Sequence, residues 1–84
     1  MDELNLLRNE INNCDKQIMN ILENRMNIAK KIGQVKAKNK MEVLCLGREK
    51  KVLDNLISQN QLPQEMITEL WNIIFKYSKK NQIN

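Results

Sequence analysis

Four side chains able to bind or polarise a ligand stand where helical periodicity asks for apolar residues. Arg25 takes the next position after Leu4, Leu7, Ile11, Cys14, Ile18 and Ile21, and the apolar stripe resumes at Ile28, Ile32 and Val35. Glu49 precedes Val52, Leu53 and Leu56 on what would be their face of a helix. Ser78 and Gln82 continue the column of Ile67, Leu70/Trp71 and Ile74. A buried charge is costly unless it is paired. Two arrangements would meet that cost: an internal Arg25–Glu49 ion pair that fixes helix register, or a polar cavity awaiting a charged ligand. Intrusions on three separate helices favour the cavity.

The choice of cation adds a second hint. Of the 14 basic residues, all are Lys except Arg8, Arg25 and Arg48. Arg differs from Lys in its flat fork, which meets a carboxylate through two parallel hydrogen bonds. Arg8 and Lys36 flank the stripe of the first helix. Arg8 lies ~25 Å along that helix from Arg25, and Lys36 lies ~17 Å beyond Arg25 on the other side. Arg25 and Lys36 can therefore reach opposite ends of one small ligand. Arg8 cannot join them within its own chain, but the partner's Arg8 can if two long helices pair antiparallel. Asp15, beside the stripe, reads as a structural ion-pair partner.

The residue types restrict the chemistry. With no His, the usual general base is absent. Cys14 falls in the stripe and reads as a small core residue, while Cys45 lies in a loop with no His to activate it. Gly33 and Gly47 are the only glycines, so no phosphate-cradling loop is present. A site of Arg, Lys, Glu, Ser and Gln suits a reaction that needs neither a covalent intermediate nor an obligatory proton transfer. Holding a dianion in a reactive shape and stabilising growing negative charge would suffice. Two thiols without any His also make a poor metal site.

The elements that must position these residues are helices. With 2 Gly and 1 Pro in 84 residues, long uninterrupted elements are expected, in one all-α domain spanning 1–84. The spacing predicts a helix over about 3–39, a loop over 40–46, and a second helix over about 47–58 with Gly47 as a tolerable N-cap. A connector over 59–62 then leads to a third helix over about 63–82, with Pro63 in its first turn. Its buried stripe is Met66, Ile67, Leu70, Trp71, Ile74 and Tyr77, widened by Ile73 and Phe75. A first helix ~55 Å long overhangs a globule whose radius of gyration would be ~12 Å. A second copy is the simplest cover for its exposed seam, which makes the chain a homodimer.

The net charge of +4 and pI near 9.2 suit either an anionic partner or a solvated, Lys-rich surface. Basic clusters are only pairs such as Lys30-Lys31 and Lys79-Lys80, so no nucleic acid partner is expected. The two cysteines make no disulfide framework, and the acidic start lacks the apolar run of a signal peptide. Nothing approaches a membrane span. A cytoplasmic protein without a regulatory domain is expected.

In these features the chain resembles the helical chorismate mutase family over nearly its whole length, in a monofunctional small form. The matching residues are Leu7-Arg8 with Ile11 and Asp15; Glu23-Asn24-Arg25 with Ile28-Ala29; Ile32-Gly33 with Lys36; Arg48-Glu49; and Ser78 with Gln82. The resemblance implies three helices per chain, intertwined into an all-helical dimer that converts chorismate to prephenate without cofactor or metal, in Phe and Tyr biosynthesis. It implies that Arg25 and the partner's Arg8 hold the two substrate carboxylates, supported by Arg48 and Ser78. Lys36 and Gln82 would hydrogen-bond the ether oxygen, and Glu49 would accept from the ring hydroxyl. One departure stands out: Cys45 occupies the place, three residues before Arg48, where the family usually has Asp. That keeps open a relative acting on isochorismate or aminodeoxychorismate. A non-catalytic helical dimeriser that binds nucleic acid is a third reading.

Overall fold

The computed structural model describes residues 2–42 and 46–83, and these form three α-helices with no strand among them. Helix α1 is Asp2–Lys38, α2 is Leu46–Gln59 and α3 is Gln64–Ile83. Cys45 lies outside the described residues. α1 extends as far as its uninterrupted stripe, with Asp2 and Glu3 at its positive end and Lys36 and Lys38 in its last turn, the favourable sign of charge at each end. Its end is a Schellman motif. Met41 N–H donates to the Lys36 carbonyl at 2.7 Å, and Lys40 N–H donates to that of Ala37 at 3.2 Å. Lys40 takes φ 57°, a left-handed conformation that costs a lysine about 1 kcal/mol but lets two terminal carbonyls find donors.

Three expectations need adjustment. α2 begins at Leu46, so Gly47 lies inside its first turn and does not cap it. Pro63 sits just ahead of α3: its carbonyl accepts the Ile67 N–H at 3.1 Å, a task that needs no N–H of its own. The buried face of α3 is also rotated from the expected stripe. Ile67, Phe75 and Ser78 are buried, Trp71 and Ile74 are half-buried, and Met66, Leu70, Ile73 and Tyr77 are exposed. The Tyr77 ring instead has the Lys80 and Lys76 ammonium groups 5.0 and 5.6 Å from its centre, contacts that suit a ring at the surface.

α3 packs on the C-terminal half of α1, where Ala29 and Gly33 are buried, and α2 packs on α3. Among the described residues no Cα of α2 comes within 8 Å of α1. The pairs Arg25–Ser78 and Lys36–Gln82 advance together along both helices, so α3 crosses α1 in the same direction. Among the described residues nothing covers the N-terminal half of α1. Residues 2–21 are exposed throughout, Ile11 at 61% and Ile21 at 66%, and Cys14 and Asp15 are exposed with them. The chain measures 58 × 25 × 16 Å with a radius of gyration of 16.3 Å. Its accessible surface is 7318 Å², whereas a compact monomer of this mass exposes ~5200 Å². Among the described residues no helix is long and apolar enough to cross a membrane.

Candidate functional site

All four stripe-breaking residues line one cleft of about 440 Å³, in the range of small-molecule sites. α3 forms its floor, and α1 and α2 form walls whose described Cα atoms stay more than 8 Å apart. The stripe of α1 contributes Arg25, Ile28, Ala29, Ile32 and Lys36, which recur at three- and four-residue steps and so share one face. α2 contributes Arg48, Glu49 and Val52, and α3 contributes Phe75, Ser78, Lys79 and Gln82. Four cations and one carboxylate thus surround an apolar lining, an environment built for an anion larger than a single carboxylate.

Most of the polar groups are held by a neighbour. Arg25 Nη1 donates to Ser78 Oγ at 2.7 Å, and the Ser78 hydroxyl in turn donates to Met26 Sδ at 3.9 Å. Asn81 Nδ2 donates to the Met26 carbonyl at 3.3 Å, a further tie between α1 and α3. Lys36 Nζ donates to Gln82 Oε1 at 3.0 Å, which leaves the amide NH₂ of Gln82 as its donor group. Burial presses the pKa of Arg25 down from its ordinary value, and the like charge of Arg48 presses it further. Two cations facing one space in this way can share an anion. The ion pair considered between Arg25 and Glu49 is not what Glu49 makes. Its Oε2 lies 3.3 Å from Lys79 Nζ.

Six of the seven residues singled out from the sequence therefore meet here: Arg25, Lys36, Arg48, Glu49, Ser78 and Gln82. Arg8 does not, being exposed in the uncovered half of α1. Lys79 was missed. The signal for it was present: Phe75, Ser78, Lys79 and Gln82 follow the i, i+3, i+4, i+7 rule of a single helix face. Anchoring the α3 stripe on Ile74 concealed that face, whereas anchoring it on Phe75 exposes it.

Gly33 sets how closely the floor approaches. A Cβ there would lie 2.5 Å from Gln82 Cα and 2.7 Å from its carbonyl carbon, both backbone atoms that cannot swing aside. In an ordinary helix Gly33→Ala would stabilise by about 1 kcal/mol. Here it is expected to destabilise by roughly the 1–3 kcal/mol of an overpacked contact and to push Gln82 away from Lys36. A variant melting at or above the parent temperature would contradict this close approach.

Over residues 7–83 the chain matches the family described as chorismate mutase type II. It is 38% identical over 84 residues to the bifunctional chorismate mutase/prephenate dehydratase of Buchnera aphidicola subsp. Acyrthosiphon pisum (strain APS), a match covering 96% of this chain and 22% of that protein. It is 30% identical over 80 residues to the protein of the same description from Aquifex aeolicus (strain VF5), covering 88% of this chain and 22% of that one. The chain thus spans about a fifth of the length of these curated relatives. No solved structure matches it significantly.

Proposed function

The chain belongs to the chorismate mutase type II family, and from that premise we propose that it rearranges chorismate to prephenate, a step of aromatic amino-acid biosynthesis, in the cytoplasm. The proposal concerns the first of the two activities in its relatives' names. What supports it is one observation: Arg25, Lys36 and Arg48 line a single cleft with Glu49, Ser78 and Gln82. The rearrangement breaks one C–O bond and forms one C–C bond within the same molecule, so neither nucleophile nor base is required. The catalyst must hold the reacting ends together and stabilise the negative charge that grows on the ether oxygen.

Each residue has a part in this reading. Arg25 pairs with one substrate carboxylate, with Ser78 aiming its guanidinium and Arg48 adding positive charge. Lys36 and the amide NH₂ of Gln82 donate to the ether oxygen. Glu49 accepts from the ring hydroxyl. The second carboxylate is left for the partner's Arg8, in a homodimer whose antiparallel long helices cover each other's seams. The excess of ~2000 Å² over a compact monomer's surface is what such an interface would bury, and it falls in the range of obligate dimers.

The test is turnover of chorismate by the purified protein, followed by loss of its absorbance with prephenate formed, and by the mass of the species in solution. Saturable turnover by a particle of twice the chain mass is expected. No turnover, or full turnover by a monomer, would overturn the corresponding half of the proposal.

A further inference from the structure

We propose that Lys79 is a positioning residue that keeps Glu49 off the arginines of the cleft and aims it at a hydroxyl of the ligand, an inference that rests on the chorismate mutase reading. α2 carries Arg48 and Glu49 into the cleft, and among the described residues its Cα atoms come within 8 Å of those of α3 but of none in α1. Among the described residues, α3 is thus the helix against which α2 sets both side chains. Lys79 is the α3 residue whose ammonium meets Glu49 Oε2, at 3.3 Å.

The charges around Glu49 explain why a tether matters. Arg25 and Lys36 face the cleft from α1, Arg48 from α2 and Lys79 from α3. Glu49 is the one acid among the described residues that line it. An untethered carboxylate there would settle on Arg25 or Arg48, since Arg offers it a two-pronged hydrogen bond. That would cancel the charge a dianionic ligand needs and would withdraw the acceptor for its hydroxyl. Lys79, a point cation on a flexible stem, engages Oε2 and leaves Oε1 to accept from a neutral O–H. The side chains of Lys79 and Glu49 are 33% and 22% exposed, so water screens the pair and its contribution to folding is slight. Its consequence lies in where the carboxylate points.

The experiment measures kcat and KM for chorismate with the parent, Lys79→Gln, Lys79→Arg, Glu49→Gln and the double variant Lys79→Gln/Glu49→Gln, each with a thermal melt. Lys79→Gln is expected to raise KM about tenfold with Tm near that of the parent, Lys79→Arg to restore most of the loss, and Lys79→Gln to cost little once Glu49 is already Gln. Non-additivity of that size is what contacting residues give. An equal loss in the Glu49→Gln background would mean that Lys79 attracts the ligand directly, and would overturn the inference. So would parental KM in Lys79→Gln, or a loss that merely follows Tm. Absence of turnover by the parent would instead overturn the chorismate mutase reading, and this inference with it.

Discussion

Arg25→Met is expected to lower kcat/KM for chorismate by about 10²-fold or more while leaving Tm within a few degrees of the parent. The two effects separate because the side chain sits where folding gains little from it. Burial and the nearby charge of Arg48 both disfavour its charged form and so lower its pKa. A base whose pKa is depressed by folding destabilises the fold wherever it stays charged. For an Arg, with so high an ordinary value, that covers the whole working range of pH. Methionine is unbranched and apolar and replaces the aliphatic stem of the arginine without that penalty. Against this stands the lost hydrogen bond to Ser78, about 1 kcal/mol. These contributions have opposite signs, and the melt is expected to stay within a few degrees of the parent.

Catalysis has no such compensation. An oriented cation or donor removed from a water-poor site typically costs 10²–10³ in rate. Lys36→Ala should lose a comparable factor, with more of it in kcat. The charge on the ether oxygen appears only as the bond breaks, so binding the ground state engages Lys36 less than binding the transition state does. Initial rates over a range of chorismate concentrations, with melts on the same preparations, check both variants. Parental kcat/KM in Arg25→Met would remove Arg25 from the site.

The parts of this site that could be read from the sequence were those where one residue contradicts a strong period. Arg25 interrupts a stripe otherwise apolar for nine positions, and Glu49, Ser78 and Gln82 interrupt shorter ones, so each announced itself. Three helices were legible for the same reason, since amphipathic periodicity with few Gly or Pro leaves little else to form. What stayed hidden depends on rotation and partner. Phe75, not Tyr77, turns inward because α3 meets α1 along the face that begins at Phe75, and a stripe containing Ile73, Ile74 and Phe75 in succession does not say which of them leads. Lys79 stayed hidden with that face. The Lys40 cap was invisible as well, because the left-handed position usually marked by Gly or Asn is filled here by Lys. Gly33 was legible as a weak helix residue but not as a spacer, since the reason for it is the backbone of Gln82, 49 residues away in the chain.

Mixing two inactive variants, Arg8→Ala and Arg25→Ala, is expected to restore about a quarter of parental activity, the share that random pairing of subunits yields in a two-fold symmetric dimer. Arg8 lies ~25 Å along α1 from Arg25 and stands in a stretch that its own chain leaves bare. If the partner's Arg8 completes the site, every site in either pure variant lacks one carboxylate ligand. A mixed dimer differs. One of its sites combines an intact Arg25 with the partner's Arg8, both native, while the other lacks both. Half the dimers are mixed at equal proportions and half their sites are whole, which gives the quarter. Exchange of subunits requires dissociation, so activity should rise with time after mixing, or at once if the chains are unfolded and refolded together. A surface role for Arg8 within its own chain predicts the opposite: Arg8→Ala would keep most of its activity alone, and mixing would only average the two. If both variants are inactive and the refolded mixture stays inactive while sedimenting as a dimer, each site is built from one chain. The bare half of α1 would then need another explanation.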